Sequence, residues 1–225
     1  MAAGRTSLKG VMQVEIYSDV VCPWCYIGKR RFEAALERFE GRDDVTVVFR
    51  PYQLDPRAPT EPTPVVDAYA RKFGGPEEAM RIIERVSDTA AEDGLEFHLE
   101  IAQRANTFDA HRLIAFAHER GVQAAMKDRL LLAYFVEGRN VADHEQLADL
   151  AADVGLDRAE VAAFLASDDG VDALRTELRD SVEKGITAVP TFVFEGRFAV
   201  PGAQDPDTML LVLQRVAEKL SAPAS

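Results

Sequence analysis

Short apolar runs and one longer helical pattern alternate at the start of the chain. Val14–Ser18 and Val45–Phe49 are apolar and rich in β-branched or aromatic residues, which predicts two buried strands. Between them, residues 23–39 carry apolar side chains at helical spacing, and Gly41 follows as a helix stop. The order strand, helix, strand predicts a βαβ unit.

The middle of the chain has a different pattern. Residues 50–64 are rich in proline, which prevents a regular helix and predicts a connection over the surface. Residues 65–184 show helical periodicity broken by glycines, and only Leu95–Leu99 favours a strand. We therefore expect a helical segment to be inserted between two β-rich ends.

The C-terminal part predicts a hairpin and a helix. Thr191–Phe194 and Phe198–Val200 are strand-like and flank the short turn Glu195–Arg197. Residues 207–220 then show the periodicity of a final helix.

The two cysteines of the chain, Cys22 and Cys25, stand at the start of the first predicted helix. Pro23 suits the first helical position, and it places Cys25 about one turn beyond Cys22, within reach of a disulfide. A helix beginning at Cys22 directs unpaired backbone N–H groups and the positive end of its dipole towards the sulfur, which favours a thiolate. The spacing therefore predicts a nucleophile and its resolving partner.

Two other interpretations of the cysteine pair are weaker. A structural disulfide that closes so short a loop stabilises a fold by only about 2 kcal/mol. A zinc site needs four ligands, and without a second cysteine pair the histidines would have to supply the others. These are His98, His111, His118 and His144.

The order of elements and the cysteine pair together predict an α/β protein with a thioredoxin-like fold, βαβ at the start and ββα at the end, interrupted by an all-helical insertion domain. The expected divisions follow this order along the chain. They are a flexible N-terminal tail at 1–12, a first thioredoxin-like half at 13–62, the helical insertion at 63–185 and a second half at 186–222.

Composition narrows the classes of partner. The chain of 225 residues is 47% hydrophobic, as expected of a folded domain, and its net charge is −12. Nucleic acids and anionic membranes are themselves negative, so we expect neither as a partner. Residues 1–12 contain no apolar run of signal-peptide length, and the prediction is a cytoplasmic protein in which a CxxC pair is more plausibly catalytic than structural. The oligomeric state stays open.

Four separated segments carry a resemblance to a known family. They are Asp19–Cys25 with Gly28, Asn106–Thr107 leading into Ala110–Arg112, Gly185–Thr191, and Val200–Gln204. Their order and spacing resemble the DsbA-like thioredoxin superfamily. Within it the chain looks most like the branch named for the FrnE polyketide-biosynthesis protein. Kappa-class glutathione transferases and 2-hydroxychromene-2-carboxylate isomerases are related, but they typically carry serine where Cys22 stands.

The resemblance implies roles for several residues. Pro190 matches the cis-proline that faces the CxxC pair in thioredoxin-like proteins, which leaves the backbone of Val189 to pair with an extended substrate. Pro23 and Trp24 lie inside the motif, and Trp24 with Tyr26 is expected to form an apolar rim around the sulfurs. Two interpretations of the segment at residues 106–111 stay open.

Asn106 and Thr107 either cap the helix that follows or line the redox groove. His111 either tunes Cys22 or is simply packed.

The sequence thus predicts a thiol–disulfide oxidoreductase or isomerase, with Cys22 as nucleophile and Cys25 as resolving residue, acting on protein or small-molecule disulfides. It predicts no metal or bound cofactor, although glutathione or another low-molecular-weight thiol is an expected co-substrate. One alternative is a glutathione-dependent isomerase or transferase acting on an aromatic or polyketide-like compound. Another is a non-catalytic binding or holdase module.

Overall fold

The computed structural model describes residues 11–222, and a sheet of four strands lies at its centre. The strands along the chain are β1 (Met12–Ser18), β2 (Val45–Pro51), β3 (Thr63–Pro64), β4 (Gln103–Arg104), β5 (Thr191–Phe194) and β6 (Phe198–Pro201). The central sheet has the order β2-β1-β5-β6, and β3 pairs with β4 in a separate two-stranded ladder. Strand β1 runs parallel to β2 and antiparallel to β5, which is antiparallel to β6.

Helices occupy most of the remaining chain. They are α1 (Pro23–Arg38), α2 (Val65–Phe73), α3 (Pro76–Glu92), α4 (Phe108–Glu119), α5 (Gln123–Phe135), α6 (His144–Asp153), α7 (Arg158–Ala166), α8 (Val171–Glu183) and α9 (Pro206–Ser221), with a 3-10 turn at Arg42–Asp44. Aspartate side chains cap the N-termini of α6, α7 and α9. None of the helices in residues 11–222 is long and apolar enough to cross a membrane.

The core of the thioredoxin-like part lies on the face of the sheet that α1 covers. All four residues of β5 are buried, and Phe192 from this strand stacks on Phe32 of α1 with ring centroids 5.4 Å apart. This stacking holds the middle of α1 against the sheet, and the cysteines lie at the start of the same helix.

The helical segment is joined to the sheet through the outer edge of β2. The Gln123 side chain in α5 accepts a hydrogen bond from Phe49 N at 3.0 Å and donates one to Phe49 O at 3.1 Å. The buried amide of Gln123 thus replaces the hydrogen bonds of a neighbouring strand, because it pairs with both the N–H and the C=O of Phe49 on the edge strand β2.

The predicted fold class is confirmed, and the βαβ start, the hairpin and the final helix all form. Leu95–Leu99 is not a strand, although its apolar residues are buried, and the insertion is not entirely helical because β3 and β4 lie within it. Met12 is the first residue of β1 and is fully buried, so it is not part of the tail expected at 1–12. Residues 1–10 of that tail lie outside the described residues.

Candidate active site

Two free cysteines lie where β1 leads into α1. Cys22 is the N-cap of α1, Pro23 is its first residue, and Cys25 N donates to Cys22 O at 3.0 Å. The two side chains are 3% and 2% exposed, so each sulfur is almost completely shielded from solvent. The expected placement of the pair at a helix N-terminus is what the structure has.

The Cys22 sulfur faces a backbone carbonyl across the site. Its S–H group donates to Val189 O with Sγ and O 3.8 Å apart, and Cys22 makes no side-chain capping bond within the part of the chain that the structure describes. No N–H group of α1 is therefore hydrogen-bonded to this sulfur, and stabilisation of a Cys22 thiolate by the helix N-terminus stays a prediction. The peptide bond between Val189 and Pro190 is cis, as the sequence resemblance implied.

Pro190 is positioned by α1. A Cβ placed on Gly28 would come within 2.9 Å of Pro190 Cγ and 3.3 Å of Ala203 Cβ, so only a glycine lets the proline ring sit this close to the helix. Gly202 N donates to Pro190 O at 2.7 Å from the other side. These contacts set the distance between the proline loop and the sulfurs.

The environment of Cys25 disfavours its thiolate. Burial, followed by the hydrogen bond and negative charge of Cys22, raises the pKa of Cys25 well above its ordinary value, while the charge of Lys127 acts in the opposite direction. A cysteine must lose its proton before it can attack a disulfide, and burial opposes that loss at Cys25.

A buried acid and a histidine lie behind the cysteines. Asp19 is fully buried and accepts hydrogen bonds from Val20 N and Leu54 N, each at 2.8 Å. His111 Nε2 lies 3.2 Å from Asp19 Oδ1 and 3.0 Å from Tyr52 O. Because both of these neighbours are acceptors, Nε2 must carry a proton and donate to them.

These contacts decide the charge of Asp19. Burial alone would raise its pKa, but the hydrogen bond and charge of His111, the Leu54 N–H and the charge of Lys127 outweigh burial and lower the pKa. Asp19 is therefore a carboxylate at neutral pH. The sequence motif contained this residue, but nothing in the pattern indicated its partner, which lies 92 positions away along the chain.

Asn106 and Thr107 hold a loop against the start of α4. Asn106 Oδ1 accepts from Phe108 N at 2.9 Å, and its Nδ2 donates to Ala58 O at 2.9 Å. Gln53 Nε2 donates to Asn106 Oδ1 and, at 3.4 Å, to Thr107 Oγ1. These bonds support the capping interpretation for Asn106, whereas Thr107, the N-cap residue of α4, makes no side-chain capping bond. A contact of either residue with substrate stays a prediction.

The two aromatic side chains beside the cysteines point in different directions. Trp24 is 42% exposed beside Cys22, whereas Tyr26 turns inward and stacks on Phe97 with centroids 5.7 Å apart, so Tyr26 does not form the expected rim. The sequence did not predict a role for Tyr69 of α2, whose pKa is raised by burial and then by the charge of Cys22. The insertion thus brings a phenol within electrostatic range of Cys22.

A lysine in α5 is the second residue that sequence analysis missed. Lys127 is 1% exposed and acts electrostatically on both cysteines. The signal was present in the sequence, since Lys127 interrupts the apolar stripe that runs through Leu130 and Tyr134 of the same helix. Within residues 11–222, no group of three or more His, Cys, Asp or Glu side chains is arranged to hold a metal ion.

Comparisons with known proteins agree with this geometry. Residues 13–214 match the model of the DSBA-like thioredoxin domain family. The uncharacterised protein YwbO of Bacillus subtilis (strain 168) is 31% identical over 198 residues, which cover 87% of this chain and 92% of the relative. The crystal structure of a probable DsbA oxidoreductase from Streptomyces coelicolor is similar with a TM-score of 0.88 and 38% identity, covering 95% of this chain and 93% of that one.

A more distant structure shares the fold alone. It is the cytosolic disulfide reductase DsbM of Pseudomonas aeruginosa, solved with GSH, at a TM-score of 0.60 and 22% identity over 92% of this chain and 99% of that one.

Proposed function

The chain belongs to the DSBA-like thioredoxin domain family, and we propose that it is a thiol–disulfide oxidoreductase that works through Cys22 and Cys25. The observation that carries the proposal is the pair of free cysteines on the first turn of α1, with the Cys22 sulfur 3.8 Å from the carbonyl oxygen of Val189. Cysteines that only filled the core would not need a thiol in contact with the Val189 carbonyl.

The proposed exchange divides the work between the two sulfurs. The Cys22 thiolate attacks one sulfur of a substrate disulfide, and the other substrate sulfur leaves as a thiolate. Cys25 then loses its proton and attacks Cys22, which releases the second substrate sulfur. The protein dithiol is oxidised by two electrons and the substrate disulfide is reduced to two thiols. The same steps in reverse oxidise a substrate dithiol.

The remaining residues of the proposed site bind and position the substrate. Val189 offers its backbone to an extended segment of substrate, and Pro190 with Pro23 limits the approach to Cys22. Trp24 and Leu54 are 42% and 52% exposed and provide an apolar surface beside the sulfurs. Because His111 donates to buried Asp19, we place it behind the cysteines as a support and not on the substrate.

The substrate class is the finer part of the proposal. An exposed apolar surface suits a protein disulfide, whereas sulfurs that are 3% and 2% exposed also admit a small thiol. A glutathione-like thiol as co-substrate is supported only by the likeness in fold to DsbM. The place of the chain in the FrnE-type branch and its cytoplasmic location stay predictions from the sequence.

Single cysteine variants test the proposal. In an assay of insulin reduction with a dithiol donor, Cys22→Ser is expected to abolish activity, and Cys25→Ser is expected to accumulate a mixed disulfide at Cys22 that mass spectrometry detects. A parallel redox titration in glutathione buffers follows Trp24, the one tryptophan of the chain.

The alternatives predict different results. Full activity of Cys22→Ser on an aromatic small molecule in the presence of glutathione would indicate an isomerase. Suppression of aggregation by a variant lacking both cysteines, with no redox transition in the parent, would indicate a holdase.

A further inference from the structure

Lys127 is a buried lysine that the exchange steps above leave without a role. Its side chain is 1% exposed, and its Nζ has no hydrogen-bond partner among residues 11–222. The ammonium lies 5.9 Å from the centroid of the Phe49 ring, which contributes only a weak cation–π attraction. A buried charge with so little compensation is costly unless an anion forms nearby, so its neighbours decide what it does.

The charged and titratable groups that face Lys127 come from the β1–α1 connection and from α1. They are Asp19, Cys22, Cys25 and Lys29. From the other elements packed here, β2 presents the Phe49 ring, and α4 presents His111, which is bound to Asp19.

Most of these charges already have partners. Lys29 is paired with Glu33 and Asp128, and Asp19 accepts two backbone N–H groups in addition to His111. Within this set, a thiolate of the cysteine pair is the anion that has no other countercharge. Lys127 and the dithiol therefore complement each other.

The effects of Lys127 and Cys25 are reciprocal. Burial lowers the pKa of Lys127, and the negative charges of Cys25, Asp19 and Cys22 oppose this effect. Conversely, burial raises the pKa of Cys25 and Lys127 opposes it. Each group thus favours the charged form of the other, as expected for opposite charges in a medium of low dielectric constant.

We propose that Lys127 is a positioning residue for the resolving step, in which its ammonium, supplied by the helical insertion, stabilises the thiolate of Cys25. The proposal rests on the proposed exchange function. In the mixed disulfide, Cys22 is bonded to a substrate sulfur, and the first substrate thiolate has departed. The Cys25 thiol gives its proton to that departed thiolate or to solvent. Its sulfur then forms a bond to Cys22 while the bond from Cys22 to substrate breaks.

The same charge serves the reverse reaction. When a substrate thiolate attacks Cys22 of the disulfide form, Cys25 leaves as a thiolate next to the Lys127 ammonium. The first attack in the forward direction uses Cys22, whose charge acts on Lys127 less strongly than that of Cys25, so loss of Lys127 should slow resolution more than the first attack.

A single-turnover reaction with an aromatic disulfide distinguishes the steps. The reduced protein is mixed with one equivalent of 5,5′-dithiobis(2-nitrobenzoate), and absorbance follows the nitrothiolate. The first release reports the attack by Cys22, and the second reports resolution by Cys25. In Lys127→Met we expect the first release to change by less than about threefold and the second to slow by at least tenfold at pH 7, the change that one pKa unit represents.

Three features separate a charge effect from a packing effect. The deficit of Lys127→Met should shrink as the pH rises, because hydroxide ionises Cys25 without help. Lys127→Arg retains a cation and should recover most of the second release. Lys29→Met is the matched control, since Lys29 is a buried lysine 6.0 Å from the same Phe49 ring but has its own carboxylate partners. It should leave the second release within about twofold of the parent.

Several outcomes overturn the proposal. A second release that is slowed equally at every pH, that is slowed as much in Lys29→Met, or that is unchanged in Lys127→Met excludes the countercharge role. If Lys127→Met does not fold by circular dichroism, Lys127→Gln is measured in its place under the same criteria. A parent protein that releases no nitrothiolate refutes the exchange function itself, which is a different result from any of these.

Discussion

The close contact between Gly28 and Pro190 allows a direct test of how the site is positioned. Gly28→Ala would place a Cβ 2.9 Å from Pro190 Cγ, while ordinary contact begins near 3.4 Å, so the proline ring must retreat by about 0.5 Å. The same loop carries Val189 O, which accepts from the Cys22 sulfur at 3.8 Å. Displacement of Pro190 therefore moves the surface on which substrate meets the nucleophile.

Stability and exchange should respond differently to Gly28→Ala. In a helix interior, alanine is more favourable than glycine by about 1 kcal/mol, whereas overpacking of a filled site costs about 1–3 kcal/mol. The net loss is about 0–2 kcal/mol, which leaves the protein folded. Because a misplacement of about 1 Å can reduce a rate about a hundredfold, half of that displacement should slow exchange about tenfold.

The assay is the second-order rate of insulin reduction, measured together with urea denaturation. Pro190→Ala is the companion variant, because it lacks the Cγ atom that the new methyl group would meet. In that background Gly28→Ala should have little further effect on the rate, and a double-mutant cycle measures the coupling. A parent-like rate in Gly28→Ala, or two effects that simply multiply, would refute the reasoning.

Three further predictions concern the surroundings of the dithiol. Burial raises the pKa of Asp19, but the hydrogen bonds and charges of its partners outweigh burial and hold the pKa below the usual 3.8. The ionised carboxylate therefore stabilises the folded protein fully above pH 3.8, and this stabilisation is lost as the pH falls through the lower pKa of the folded state. Asp19→Asn should therefore lose about 2 kcal/mol at pH 7 and less at pH 3 in urea melts, and a constant deficit would contradict this. Gln123→Ala leaves the buried N–H and C=O of Phe49 unpaired and should cost about 2–4 kcal/mol in the same melts, whereas a loss below about 0.5 kcal/mol would mean that the bridge is unimportant. Trp24→Ala removes an exposed apolar side chain and should slow reduction of insulin more than that of a small disulfide, while equal slowing of both substrates would argue against a docking surface.

The sequence predicted those parts of the fold that local patterns determine. The Cys-Pro start of α1 and the strands of the hairpin are read from neighbouring residues, and the structure has them. The strand predicted at Leu95–Leu99 is wrong, because alternating apolar residues give the same pattern whether they pair with a strand or fill a gap between helices. Phe97 does the latter, stacking on Phe135 with centroids 4.5 Å apart.

The residues of the candidate site also fall into those that local sequence predicts and those that it does not. Cys22, Cys25 and Pro190 belong to short motifs, so their positions could be predicted before any coordinates were known. The pairing of Asp19 with His111 and the approach of Lys127 to the cysteines depend on how the insertion packs on the sheet. The sequence showed Lys127 within an apolar stripe, but it did not indicate what either residue would contact. Gly28 is an intermediate case. It was part of the cysteine segment, but the sequence did not indicate that it would lie against the ring of Pro190.

The helical insertion does more than cover the thioredoxin-like part. Cys22 and Cys25 are buried to nearly the same degree, so burial alone does not distinguish the proposed attacking sulfur from the proposed resolving one. What distinguishes them is what each sulfur faces. Cys22 faces the Val189 carbonyl, in the loop that precedes β5. Burial suppresses ionisation of Cys25, and the opposing charge of Lys127 comes from α5. It follows that Val189 and Lys127 act mainly on different steps of the proposed exchange, and substitution of Lys127 should slow resolution more than the first attack.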